Sequence, residues 1–288
     1  VAFFVHARYG DGLKKDESNS HPMKITTWNI NSVRLRIGLV ERFLKQEQPD
    51  ILCLQEIKCL NDQFPRKAFE KAGYPHIAVH GQKGYHGVAI ASRTPFEEER
   101  ADQFCSKDDC RHIAIRLKGD VHIHNFYVPA GGDEPDPAVN DKFAHKLDFM
   151  TEMAERFGDS VDTKSILVGD LNVAPREHDV WSHKQLLKVV SHTPVEVEHM
   201  TRIIERTGWI DVARELIPEP EKLYTWWSYR AKDWQASNRG RRLDHIWVTP
   251  ALKKAALAGG RAAYAIHEEA RGWEKPSDHA PVSLTLAL

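Results

Sequence analysis

The sequence predicts an α/β protein built as a layered sandwich, and two observations carry that expectation. Short apolar runs of strand character alternate with segments whose apolar residues recur every three or four positions. The long strand runs show little polar alternation, so both of their faces must be covered. Four of these runs also meet a polar cluster at one end: Trp28-Asn29-Ile30-Asn31, Leu54-Gln55-Glu56, Gly169-Asp170-Leu171-Asn172 and, ahead of its strand, Ser277-Asp278-His279. Strand ends gathered on one rim make a site.

The elements follow in order from Met23. Lys24–Trp28 is a short β-prone run, and Leu35, Leu39, Phe43 and Leu44 then recur at helical spacing before Pro49. Ile51–Leu54 is a continuous apolar strand. Pro65–Ala72 followed by Gly73 has proline near a helix start and glycine just past its end. Strands are expected around Tyr74–Val79, Gly87–Ser92, His112–Leu117 and Val121–Val128, the last stopping at Pro129. The clearest helix is 139–157, with Val139, Phe143, Leu147, Met150, Ala154 and Phe157 on one stripe. It feeds the strand Ser165–Gly169. A helix at about 197–207 precedes Gly208, and His245–Val248 and Val282–Leu286 are the last strands. No short-period repeat is present. With no linker or charge block, residues 23–288 are expected to form one domain, with residues 1–22 an N-terminal extension or tail.

Composition narrows the class. Of 288 residues, 28% are charged and 41% hydrophobic, the balance of a soluble globular chain. No apolar run approaches the roughly 20 residues needed to span a bilayer. Forty basic against 41 acidic residues leave a net charge of −1, so any case for a polyanionic partner must be local. The cysteines Cys53, Cys59, Cys105 and Cys110 have neither CxxC nor zinc-finger spacing, which favours reduced structural thiols in a cytoplasmic protein.

Asp170 and Asn172 are two apart, so a continuing strand would send both side chains out of one face and turn Leu171 inward. The carboxylate suits proton abstraction or a hard cation, and the amide suits an oxyanion. An Asx turn that ends the strand before Pro175 is the competing reading. Glu56 also closes a strand, although a lone glutamate is often only a solvated loop residue. Asp278 and His279 can serve one site only from a loop, because strand neighbours point opposite ways. Asp244 suits the role of orienting a histidine from another strand. Tyr127 either presents its phenol to phosphate or is a core tyrosine with a satisfied hydroxyl.

Glu56, Asp170 and Asp278 with Asn29 and Asn172 form a hard oxygen set suited to Mg²⁺ or Mn²⁺ rather than zinc. Such a cation stabilises charge on phosphoryl and leaving oxygens, the contribution that slow phosphoester hydrolysis requires. GxSxG, Walker A and GxGxxG motifs are missing from the chain. His122-x-His124 lacks a third ligand nearby, and His178, His183, His192 and His199 read as surface residues.

Together the stretches KITTWNINSVRLR, DILCLQEIK, GYHGVAIASR, NFYVPAG, LVGDLNVAP, NRGRRLDHIWVT and SDHAPV resemble the exonuclease III/AP endonuclease family of the endonuclease–exonuclease–phosphatase superfamily, over Met23–Leu288. The resemblance implies a four-layer, DNase I-like α/β sandwich, with two mixed sheets face to face and helices outside. It implies Glu56 as principal Mg²⁺ ligand, with Asn29 and Asn31 beside it and Asp278 completing the metal environment; Asp170, Asn172 and His279 adjoin the ion. It implies Asp170 as the group that positions and deprotonates water, Asn172 and Tyr127 as phosphate-binding, and His279 as a phosphate donor oriented by Asp244. The choice between Asp170 and His279 as base stays open, as does that between one metal and two. Asn31 stands where some members have Asp, and Ala130 where relatives often carry an amide.

Local charge then indicates the substrate. Arg34, Arg36, Lys58, Arg230, Lys232, Arg239, Arg241 and Arg242 flank these motifs, with Trp226, Trp227 and Trp234 interleaved among the last five. Basic groups track a phosphate backbone and an aromatic fills the gap of a missing base; the competing reading is a core tryptophan and a solvated arginine loop. DNA contact is expected of Asn31, Arg34, Lys58, Trp227, Arg230, Arg239 and Arg241. The expected activity is Mg²⁺-dependent cleavage of duplex DNA 5′ to abasic sites, with 3′→5′ exonuclease and trimming of blocked 3′ ends, by a monomer. Alternatives are a relative acting on another phosphoester (a phosphoinositide phosphatase, sphingomyelinase or RNA deadenylase) and a catalytically silent DNA-binding protein.

Overall fold

The computed structural model describes residues 22–157 and 163–288, so nearly all of the expected N-terminal extension lies outside the described residues. Pro22 already pairs with Ala287, so the sheet includes the residue before the expected boundary.

Two six-stranded sheets share one plan. The first contains β1 (Pro22–Asn29), β2 (Ile51–Gln55), β3 (His76–His80), β4 (Val88–Ser92), β13 (Tyr264–Ile266) and β14 (Val282–Ala287), in the order β13-β14-β1-β2-β4-β3. The second contains β5 (Phe96–Arg100), β6 (His112–Leu117), β7 (Val121–Tyr127), β8 (Lys164–Asp170), β9 (Ile210–Asp211) and β12 (Asp244–Val248), in the order β5-β6-β7-β8-β12-β9. A short ribbon, β10 (Trp226–Trp227) with β11 (Gly240–Arg241), stands apart. Each large sheet has one parallel pair at its centre, β1 with β2 and β7 with β8. The helices Ile37–Glu47 and Asp141–Arg156 lie in the connections that those parallel pairs require.

Alternation along the strands builds four layers. Ile25, Ile51, Cys53 and Ile90 of the first sheet meet Ile113, Ile123, Ile166, Val168 and Ile246 of the second in the central core. Their neighbours Trp28, Leu52 and Leu54 face outward onto Phe43, Leu44 and Phe69 of the first helical layer. Phe126, Leu167 and Trp247 face outward onto Phe149, Met150, Met200 and Ile203 of the second. Each such side chain contributes about 1.5–3 kcal/mol by leaving water, which explains why the strands read as unbroken apolar runs.

Helix ends correct the expected boundaries. The helix Asp141–Arg156 starts where it does because the Asn140 side chain accepts the Lys142 N–H; Val139 precedes it and is exposed. Leu35 likewise lies outside its helix and is exposed. The helix expected at 197–207 begins at Pro194, where Thr193 and Glu196 form a capping box. All four cysteines are free thiols. Among the described residues, no helix is long and apolar enough to cross a membrane.

The rim follows from strand direction. β14 and β12 run antiparallel to β1 and β8, so they begin where β1 and β8 end. For that reason the residues preceding β14 and opening β12 reach the same rim as those closing β1, β2, β7 and β8.

Candidate active site

Two turns of the same kind build the rim. After β1 the Asn29 Oδ1 accepts the Asn31 N–H at 3.1 Å, and after β8 the Asp170 Oδ1 accepts the Asn172 N–H at 3.0 Å. Asn31 (φ 48°) and Asn172 (φ 53°) adopt the left-handed conformation that asparagine tolerates in such turns. Asp170 and Asn172 therefore do not share a face through a continuing strand. The Asx turn brings them together, while Leu171 packs into the outer core as expected. Gly169 is required beside them: it has φ 145°, and a Cβ there would stand 2.0 Å from the Phe126 carbonyl oxygen.

Asn29 joins the two sheets. Its Nδ2 donates to Glu56 Oε1 at 3.0 Å and to Asp170 Oδ2 at 2.9 Å. Glu56, itself left-handed at φ 48°, also accepts the Tyr127 hydroxyl at 2.8 Å and pairs with Lys58 at 2.8 Å. Burial, reinforced by the Glu56 and Asp170 carboxylates, holds the Tyr127 phenol well above its ordinary range, so it remains a donor.

Asp278 and His279 arrive on a loop and point opposite ways. His279 Nδ1 donates to Asp244 Oδ2 at 2.8 Å, while its Nε2 lies 3.7 Å from Asp170 Oδ2. Burial alone would depress this imidazole, but Asp244 and Asp170 raise it to about 10. Burial also lifts the Asp170 carboxyl above the usual range, against the pull of His279. Asp278 turns away to accept the Asn31 amide at 3.1 Å and the Trp226 indole at 2.9 Å. Burial raises its carboxyl, yet His279 and those two donors keep it below the ordinary value.

Of these groups Glu56, Tyr127, Asp170, Asn172, Asp278 and His279 line a cleft of about 720 Å³, together with Trp181, Trp226, Leu243, Arg230, Arg239 and Arg241. Arg239 lies over the Trp181 ring at 4.6 Å and Arg241 over Trp226 at 5.3 Å. Arg34 and Arg230 are exposed. Several expected placements need correction. Trp227 is 1% exposed and donates its indole N–H to Asn238, so it belongs to the core because its ring packs on Trp234. Arg242 is buried and paired with Asp179 and Asp211. Arg36 spends its guanidinium on the Asn31 and Lys275 carbonyls and the Tyr229 hydroxyl. His192 is buried, donating to the Ala174 carbonyl at 2.6 Å.

Other residues were missed. Thr225 accepts the backbone N–H groups of Leu243 and Asp244 and donates to Asp244 Oδ2 at 2.6 Å; its sequence context carries no signal of that. Lys146 is fully buried, donates to the Asn172 carbonyl at 2.8 Å and pairs with Glu196. A lysine on the stripe of Phe143, Leu147 and Met150 was a readable anomaly.

The donor set fits a hard cation. Glu56 Oε2 and Asn31 Oδ1 converge on the Lys58 ammonium at 2.8 and 2.7 Å, so a positive charge is already stabilised among these oxygens, with Asp278 one hydrogen bond beyond.

A family profile described as "Endonuclease/Exonuclease/phosphatase family" matches residues 26–279. Exodeoxyribonuclease III of Haemophilus influenzae is 31% identical over 273 residues, covering 90% of this chain and 98% of the relative. The chain belongs to the exonuclease III/AP endonuclease family. Among solved members of that family, the AP endonuclease from Archaeoglobus fulgidus superposes with a TM-score of 0.83 at 33% identity, covering 92% of this chain and 100% of its own. The 3′ phosphatase NExo from Neisseria, bound to product DNA hairpin, superposes with a TM-score of 0.81 at 32% identity, again covering 92% and 100%. The family's two mixed sheets with outer helices are the architecture described above.

Proposed function

We propose that this protein is a divalent-metal-dependent DNA repair phosphodiesterase that cuts duplex DNA 5′ to abasic sites and trims 3′ ends, residues 23–288 acting as one catalytic domain. The observation that carries the reading is the Asn29 amide, which ties Glu56 of one sheet to Asp170 of the other beside the Asp244–His279 pair. Asp170 Oδ2 takes one proton of the attacking water as the water oxygen bonds to phosphorus, the P–O3′ bond breaks, and O3′ leaves as an alkoxide that takes a proton from solvent. His279 faces carboxylates through both ring nitrogens, which supports its use as a protonated phosphate donor rather than as the base. Tyr127, its hydroxyl turning from Glu56 to the phosphate, and the second Asn172 amide hydrogen, the first being held by the Val128 carbonyl, donate to the remaining phosphate oxygens.

Glu56, Asn29, Asn31 and Asp278 would hold Mg²⁺ or Mn²⁺, which supplies positive charge to the phosphoryl and leaving oxygens. Of the wider ligand set expected from sequence, Asp170, Asn172 and His279 are assigned to water and phosphate. Arg34, Arg230, Arg239 and Arg241 suit a phosphate backbone, with Lys58 and Asn31 nearer the ion. Trp181, Trp226 and Leu243 offer an apolar wall to a sugar without its base. The fold-level similarity to a 3′ phosphatase bound to DNA supports including 3′-end trimming in the assignment.

A duplex with one abasic site, incubated with Mg²⁺ or with EDTA, tests the proposal. Incision is expected only with metal. Asp170→Asn should lower the incision rate by about 10²–10⁴-fold, the usual reach of a general base, while DNA binding is retained. Metal-independent cutting, or an Asp170→Asn variant at near wild-type rate, would sink the assignment.

A further inference from the structure

A second group of metal-ligating side chains lies away from the cleft, where the two sheet edges meet. A ring nitrogen of His80, a carboxylate oxygen of Asp108 and the Cys110 sulfur all fall within 4.8 Å of one another. His80 closes β3, the edge strand of the first sheet, whereas Asp108 and Cys110 lie in the loop between β5 and β6 of the second. The His80 ring is already oriented, with Nδ1 3.0 Å from the His112 carbonyl oxygen. A carbonyl only accepts, so Nδ1 carries the proton and Nε2 keeps the lone pair. Metal-ligating imidazoles are commonly held by such a bond. Cys110 is buried in a left-handed conformation (φ 49°), and Asp108 is exposed with no hydrogen bond or ion pair among the described residues. Burial, with Asp108 and Asp109 adding to it, pushes the Cys110 thiol up to about 11, so without a cation it is protonated and inert.

We propose that His80, Asp108 and Cys110 form a second cation site, selective for a borderline ion of the zinc type, with water completing a tetrahedron. One nitrogen, one oxygen and one sulfur donor suit Zn²⁺ or Co²⁺ rather than Mg²⁺, unlike the all-oxygen set of the cleft. Binding exchanges the thiol proton for the metal–sulfur bond and releases that proton to solvent. The cation joins the edge of one sheet to a loop of the other. That loop continues into Arg111, whose guanidinium donates to the Tyr127 carbonyl at 3.2 Å and lies over the Tyr127 ring at 5.0 Å. The site is thus structural, holding the segment that backs the phenol facing Glu56.

The test is a Co²⁺ titration of the full chain in excess Mg²⁺, which saturates the oxygen set. One equivalent should produce thiolate-to-cobalt charge-transfer absorption, reversed by one equivalent of Zn²⁺. Cys110→Ala should abolish the band and Cys105→Ala should keep it. Asp108→Asn, at an exposed position that does not threaten folding, should weaken Co²⁺ binding at least about tenfold and leave Mg²⁺-dependent incision unchanged. A wild-type protein without the band at one equivalent overturns the proposal, as does a band that survives Cys110→Ala or disappears with Cys105→Ala.

Discussion

At the residue scale, Asn29 and Asp170 are 141 positions apart in sequence and 2.9 Å apart in the molecule. Neither is exchangeable for its neighbour in kind: Asn29 uses both amide hydrogens on carboxylates, and Asp170 uses one oxygen on its own turn and the other on Asn29. The geometry leaves no room for a side chain at Gly169, where a Cβ would collide with the Phe126 carbonyl. Gly169→Ala should therefore push β8 off β7, costing about 1–3 kcal/mol as other overpacked sites do and lowering kcat about 10²-fold through displacement of Asp170. Urea unfolding with incision kinetics checks this; an unchanged kcat would show that the carboxylate tolerates the shift. The residue types of the site were legible because acids and amides at the ends of apolar strands are out of place. Trp227 and Arg242 were not, because an aromatic beside arginines reads alike whether it lines a cleft or fills a core. Their burial is decided by tertiary partners, Trp234 and Asn238 for the one and Asp179 and Asp211 for the other.

Elements are held at their ends more than their middles. The segment after β8 is fastened by Asp179, which is fully buried and takes both Arg242 and Arg214. Arg242 also meets Asp211 at the start of the short helix Val212–Leu216, so one guanidinium ties Asp179 of the loop to Asp211 of β9 beside β12. Asp179→Ala should destabilise the protein by about 3–5 kcal/mol, because it leaves guanidinium groups buried without their partner. A denaturation midpoint close to wild type would mean that water reaches them. Helix interiors were readable from their period; their starts depended on caps. Thr193-x-x-Glu196 was a readable signal that the apolar stripe alone placed too late. β5, with the sequence FEEER, is the opposite case: an exposed edge strand carries no apolar alternation, so only its pairing with β6 defines it.

For the molecule as a whole, the outer face of the second sheet buries imidazoles. His112 Nδ1 accepts the Asp102 N–H at 3.3 Å, and its Nε2 lies 3.2 Å from His124 Nδ1, a chain in which both rings are neutral. Burial lowers His112 well below the ordinary value, His124 to about 3 and His245 to about 4. The unfolded chain protonates these rings near pH 6.5 and the folded one does not, so their contribution to stability is full above about pH 6.5 and falls below it. Asp170, raised by burial, opposes this below about pH 7, and His279, raised to about 10 by its carboxylates, contributes stability that is full below about pH 6.5 and falls above it. Below about pH 6, where His279 is charged in both states, the three imidazoles less Asp170 leave a net uptake of about two protons on unfolding, a loss of roughly 3 kcal/mol per pH unit. Urea midpoints at about pH 6 and 5 measure it, and a flat or rising trend on acidification contradicts it.

The chain by itself determined which side of each strand faces a core and where each strand turns polar, because side-chain alternation is local and survives in any fold. Its motifs also determined the family. The tertiary structure alone decided that β14 and β12 run against β1 and β8, bringing Asp278, His279 and Asp244 to the rim of Asn29 and Asp170. It alone decided that Asx turns rather than continuing strands aim the paired groups. Pairing between distant strands is set by how two sheets pack over their shared core, and no local pattern records it.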